Sequence, residues 1–140
     1  MKVKALLFSE IEIGNKVQIK KLISSDMIRA FAEMTGDHHP LHTDANYAKD
    51  NGFDNIIAHG LLISSLCSTI VGMHLPGEES LMLESNFKYL RPVYAENEIH
   101  IEAEVTNKDS RFSTIELKLI VVDSNKKKLV KGKFLVKVRA

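Results

Sequence analysis

The chain changes rhythm near Gly77. Before it, apolar residues recur at helical spacing. In "SSDMIRAFAEMTG" the face Met27, Ala30, Phe31 and Met34 follows Ser24-Ser25-Asp26, which are good N-cap residues, and Gly36 supplies a stop. "TDANYAKDNGF" predicts a second, short helix capped by Thr43 or Asp44 and closed by Gly52. From Gly60 to about Leu75 the chain is apolar nearly all round, relieved only by Ser64, Ser65, Ser68 and Thr69. A helix that is hydrophobic on every side is a buried one.

After Gly77 the period becomes two. "SLMLESNFKYLRPV", "EIHIEAEVTNK", "STIELKLIVVD" and "KLVKGKFLVKVR" read as strands, and "KVQIKKLI" near the start is a further one. Asn107 to Ser110 and Asp123 to Lys126 supply turn residues between them. The pattern predicts an α+β protein in which an antiparallel meander wraps one long buried helix.

Length and composition narrow the function classes. A chain of 140 residues accommodates a single domain, residues 1–140, with a real core. Hydrophobic content of 44% and charged content of 26% are ordinary for a soluble globular protein. Net charge of +1 gives no bulk attraction to nucleic acid or to an acidic membrane, so an anionic ligand must be held by local groups. Lys126-Lys127-Lys128 reads as a solvated hairpin tip. Cys67 is the only cysteine and lies in the apolar run "LLISSLCSTIVGM", where core packing explains it better than reactivity. The opening "MKVKALLFSEIEIGNK" is too interrupted for a signal peptide, and no run reaches the ~20 apolar residues of a membrane span. A cytoplasmic enzyme or binding module is the expectation.

The densest chemistry is "GDHHPLH", Gly36 to His42. One reading is a metal site on His38, His39 and His42. Pro40 argues against a regular helix through the segment, and neither an HExxH arrangement nor a second Cys/His pair accompanies it. The expectation is no metal and no cofactor. "DHH" is also a phosphoesterase signature, but those enzymes need further acidic motifs and a much larger chain. A second reading is an acid–base pair, Asp37 and His42, whose ordinary pKa values of ~3.9 and ~6.5 bracket a useful range. A third is a polar loop without chemistry. Further along, "IIAHGLL" places His59-Gly60 where the buried helix begins. Free N–H groups and the positive end of the helix dipole meet there, as a developing oxyanion would require. Equally, Gly60 could serve only to turn the chain tightly into the helix.

Together "FAEMTGDHHPLHTD" and "IAHGLLISSL" resemble the hydratase motif of the MaoC-like, R-specific enoyl-CoA hydratases. "MHLPGEESLMLESNFKYLRPVYAENEI" continues the resemblance, which covers nearly the full chain. It implies the hot-dog fold, a long helix in an antiparallel sheet, normally dimeric. It also implies a catalytic dyad of Asp37 and His42, an oxyanion-hole donor at Gly60, and supporting or substrate-binding roles for His39, His59 and Ser68. The implied chemistry is reversible syn addition of water to a trans-2-enoyl thioester of CoA or acyl carrier protein, giving the (R)-3-hydroxyacyl thioester. One of Asp37 and His42 would deprotonate water and the other protonate C2, in either order. Lys88 and Arg91 do not choose between the two carriers.

The chain departs from the family at His39, where asparagine is usual and its amide helps hold the catalytic loop. Histidine imitates one of those hydrogen bonds but brings a titratable ring. Two other classes remain. A hot-dog thioesterase would want an acid in the buried helix, which here offers only Ser, Thr and Cys. A non-catalytic acyl-thioester binding subunit would have no need of the dyad.

Overall fold

The computed structural model describes residues 2–140. Five antiparallel strands form one sheet: β1 Lys16–Ile23, β2 Ser80–Tyr89, β3 Asn97–Asp109, β4 Thr114–Val122 and β5 Lys128–Val138. Their spatial order is β1-β3-β4-β5-β2. Only β3, β4 and β5 make the expected meander. β2 lies beyond β5 at one edge and β1 beyond β3 at the other, so the link from β2 to β3 crosses the sheet. Alternation along a strand reports which face is buried, but not which neighbour it pairs with.

The alternation itself is well obeyed. Ile99, Ile101, Ala103 and Val105 of β3 are buried, as are Ile115, Leu117, Leu119 and Val121 of β4 and Phe134, Val136 and Val138 of β5. They form a single core with Leu62, Ile63, Cys67, Ile70 and Val71 of the long helix α4, Gly60–Met73. Removing this apolar surface from water is the main favourable contribution to folding.

Three helices precede α4: α1 Ser25–Thr35, α2 Pro40–Thr43 and α3 Ala45–Asp50. The Ser24 side chain caps α1 by accepting the Met27 N–H, and Gly36 ends it in the left-handed region at φ 79°. Asp44 caps α3 by accepting from both Asn46 and Tyr47 N–H.

Four local expectations are corrected. The buried face of α1 is Ile28 and Ala32, flanked by Met27 and Phe31, while Met34 is 75% exposed. α4 is not buried all round: Leu61, Ser65, Ser68, Thr69 and Gly72 form an exposed stripe in the single chain. Pro40 does not keep its segment irregular, because it occupies the first turn of α2, where its missing N–H costs nothing. Finally, Asn107 to Asp109 belong to β3 and the turn is Ser110–Ser113. A bulge after Val105 lengthens the strand, and the Lys108 ammonium reaches back to the Phe8 and Ile11 carbonyls at 2.9 and 2.5 Å. Asp123, by contrast, does organise the β4–β5 turn, accepting from Asn125 and Lys127 N–H.

Candidate active site

The α1–α2 junction, the approach to α4 and the end of β2 converge on one place. Asp37 follows the glycine that terminates α1, and its N–H donates to Thr35 Oγ1 at 3.3 Å. His42 rides on α2. His39 is the N-cap of that turn: its Nδ1 accepts the Leu41 N–H at 3.1 Å. Its own N–H donates to Asp37 Oδ1 at 3.3 Å. Histidine thus does at this position what a capping amide oxygen would do. The exposed ring also makes an edge-on contact to His42 at 5.9 Å.

The His42 ring is tightly specified. Its Nδ1 lies 2.7 Å from the Ile57 carbonyl oxygen. A carbonyl only accepts, so Nδ1 carries the proton and neutral His42 keeps its lone pair on Nε2. Ile57 is itself anchored, donating its N–H to Leu41 O at 3.0 Å and bridging to Tyr94. The His42 pKa is lowered, chiefly by partial burial and further by His59 and His39; the Ile57 hydrogen bond and Asp37 oppose this. Protonation would remove the Nε2 lone pair. If that lone pair works as a base, kcat/KM should rise with pH through a midpoint below the ordinary 6.5 of histidine. A pH–rate profile measures this, and a midpoint at or above 6.5 contradicts it.

Asp37, His42 and buried His59 bring a carboxylate oxygen and two ring nitrogens within 4.8 Å of one another. That set could be read as a metal cradle. His59 Nε2 faces the Asp37 backbone carbonyl at 2.9 Å and must carry its proton there, so only its buried Nδ1 keeps a lone pair. The His42 and His59 rings are also stacked, at 3.8 Å and 23°, rather than turned edge-on to a shared point. Their spacing from Asp37 suits a bridging water instead.

Gly60 opens α4. Leu62 and Ile63 donate back to the His59 carbonyl, whereas no backbone acceptor takes the Gly60 or Leu61 N–H among the described residues. Both residues line a cavity of about 520 Å³ with His42, Ile57, Ile63 and Tyr89. The wall is mostly apolar, completed by Ala58, Leu90, Val93 and Val130, with Arg91 at its side. Tyr89 was not marked by the sequence. Its ring crosses Gly60 so closely that a Cβ there would meet it at 2.9 Å, and its hydroxyl lies 2.6 Å from Ser64 Oγ. Nor could the Ile57 carbonyl have been found, because a backbone group leaves no residue-type signal.

Ser68 stands apart. It is exposed on α4, donates to the Ser65 carbonyl at 2.6 Å, and makes no hydrogen bond to Asp37 or His42 among the described residues. Cys67 is fully buried, and burial pushes its thiol up to about 12, which suits packing. No helix is long and apolar enough to cross a membrane.

The family model described as "MaoC like domain" matches residues 9–126. The chain belongs to the MaoC-like family. It is 35% identical over 96 residues to an (R)-specific enoyl-CoA hydratase of Aeromonas caviae, covering 69% of this chain and 72% of that protein. It is 33% identical over 102 residues to a 3-hydroxybutyryl-CoA dehydratase of Methylorubrum extorquens, covering 73% of this chain and 65% of the relative. The solved unliganded R-hydratase PhaJ1 of Pseudomonas aeruginosa superposes with a TM-score of 0.92 at 29% identity, covering 97% of this chain and 87% of that one. The fold is the hot-dog fold of these R-hydratases.

Proposed function

We propose that this chain, as one domain over residues 1–140, is a hydro-lyase that adds water reversibly to a trans-2-enoyl thioester of CoA or acyl carrier protein. The product is the (R)-3-hydroxyacyl thioester. One observation carries the reading: the His42 tautomer, set by Ile57, leaves a lone pair on Nε2 within the Asp37 cluster and beside free N–H groups.

The thioester oxygen accepts the Gly60 N–H, which draws electron density from C3 and later holds the enolate charge. A water between Asp37 and His42 gives a proton to Nε2 as its oxygen bonds to C3. The imidazolium then delivers that proton to C2 on the same face, so addition is syn and His42 returns to neutral. Asp37 acts as the charged acceptor that orients the water and steadies the imidazolium. Its Oδ1 already accepts the His39 N–H, which supports this role over that of a proton donor. The apolar cavity wall suits an acyl chain. Ser68 is proposed to meet substrate or a second subunit, since it faces outward here. No metal or cofactor enters this scheme, and a buried thiol is at home in the cytoplasm.

We further propose a homodimer or a higher even oligomer. Edge strand β2 leaves Leu81 and Leu83 about half exposed, and the α4 stripe leaves Leu61 69% exposed. Asp37 is open to solvent in the single chain, so a second copy would also close the site. Sedimentation at micromolar concentration should show an even oligomer, and a monomer contradicts it. The activity is tested with crotonyl-CoA by following loss of the enoyl absorbance. Release of free CoA thiol would point to a thioesterase instead, and binding without turnover to an accessory subunit.

A further inference from the structure

We infer that His59 is the positioning residue of this site, fixing the His42 ring and the Asp37 loop relative to each other through one stack and one hydrogen bond. This rests on the hydratase reading given above and adds a residue that does not touch the reacting atoms.

His59 is 3% exposed, and it touches the Asp37 loop, the His42 ring and the start of α4. Its ring lies flat against His42 with centroids 3.8 Å apart, and Phe31 of α1 presses on it at 4.9 Å. Its Nε2–H donates to the Asp37 carbonyl at 2.9 Å. Its own carbonyl receives the Leu62 and Ile63 N–H groups, at 3.1 and 3.4 Å, which makes it the N-cap of α4. Rotation of this side chain would therefore displace Asp37 and His42 together, next to the helix start that offers Gly60.

The cost of this arrangement is visible. His59 Nδ1 is a buried polar atom without a hydrogen-bond partner. Buried polar groups are nearly always paired, because an unpaired one gives up its hydrogen bonds to water and gains none in return. A residue chosen only for stability would not need a ring with a second, unsatisfied nitrogen. A donor aimed at Asp37 together with a flat face under His42 requires one, since phenylalanine lacks the donor and glutamine lacks the face. The groups bearing on His42 are Asp37 from the α1–α2 junction, His39 from the cap of α2, His59 from α4, and the Ile57 carbonyl; Tyr89 and Arg91 share its cavity. His59 is one of those that lower the His42 pKa, so losing it moves the acid limb of kcat/KM to higher pH.

The test uses the full chain with His59→Phe and His59→Gln, assayed on crotonyl-CoA, together with ¹⁵N NMR of the histidine rings. Each folded variant should lose ~10² in kcat, the scale of a small misplacement, with KM little changed. The acid limb should move up in His59→Phe. A purely structural role would lower the melting temperature while leaving kcat per folded protein and the acid limb as they were, and that result overturns the inference. If wild-type protein proves inactive on crotonyl-CoA, the hydratase reading fails by itself. The NMR arm still decides the positioning role: loss of the His59 ring should free the His42 ring to leave the Ile57 carbonyl, so His42 should show a single Nδ1–H tautomer in wild type and a mixture in the variants, and an unchanged tautomer overturns it. If neither variant folds, the wild-type spectrum decides, with His59 protonated on Nε2 expected and protonation on Nδ1 overturning the inference.

Discussion

Asp37→Asn and His42→Gln should each lower kcat by ~10² or more while the protein still folds. Neither side chain belongs to the apolar core, so the fold should survive both changes even though His42→Gln gives up the stack on His59. His42→Gln removes the Nε2 lone pair that the Ile57 contact leaves free, and glutamine offers no comparable base. Asp37→Asn keeps the size and an oxygen able to accept the His39 N–H, but removes the charge that would face an imidazolium. The two losses should be far from additive, because both act on one water and one proton. Steady-state kinetics on crotonyl-CoA, with circular dichroism as folding control, measures this. Near-native turnover in either folded variant would falsify the proposed mechanism.

The second large effect is expected at Gly60, and the structure changes what it should look like. Gly60→Pro deletes the proposed oxyanion donor at a position where proline is otherwise tolerated, and losing such a donor typically costs ~10²–10³ in kcat. From sequence alone Gly60→Ala should suffer mainly in substrate binding, since it keeps the N–H and adds one methyl group. In the structure that methyl would stand 2.9 Å from the Tyr89 ring, so the ring must move and its contact with Ser64 is put at risk. Alanine should therefore raise KM clearly, while kcat falls much less than with proline. The double variants Gly60→Ala/Tyr89→Leu and Gly60→Pro/Tyr89→Leu separate the causes: either Cβ would meet the ring, so removing it should restore much of the alanine loss but leave the large kcat loss of the proline, which lacks the N–H. Equal damage from alanine and proline, unrelieved by Tyr89→Leu, would mean that the helix start rather than its N–H is what matters.

Tyr89 also shows where sequence reading stops. It lies near the end of a strand whose alternation is plain, and nothing in that alternation says that the ring turns over α4. The same limit explains the misread face of α1. Met34 fits the helical period as well as Ile28 does, but only one of them meets the sheet-bound core. Periodicity reports that a helix has an apolar side; which residues that side buries depends on where the rest of the chain puts a surface.

The α+β class, the strands, the cap segments Ser24-Ser25-Asp26 and Thr43-Asp44, and the pairing of a Gly-Asp-His segment with a histidine–glycine helix start were all legible in the sequence, while the fold chose Ser24 and Asp44 as the capping residues. These are local properties, set by the period of the side chains, by φ at glycine and by short polar caps. Tertiary structure decided the strand order, because any two alternating strands can pair until the crossover from β2 is made. It decided that Pro40 begins a helical turn, because a first-turn proline and a loop proline look alike in sequence. Above all it decided the chemistry of His42. The proton on Nδ1 is held there by the backbone of Ile57, fifteen positions along the chain, and a carbonyl is present in every residue alike. Only the folded chain says which carbonyl a ring will meet.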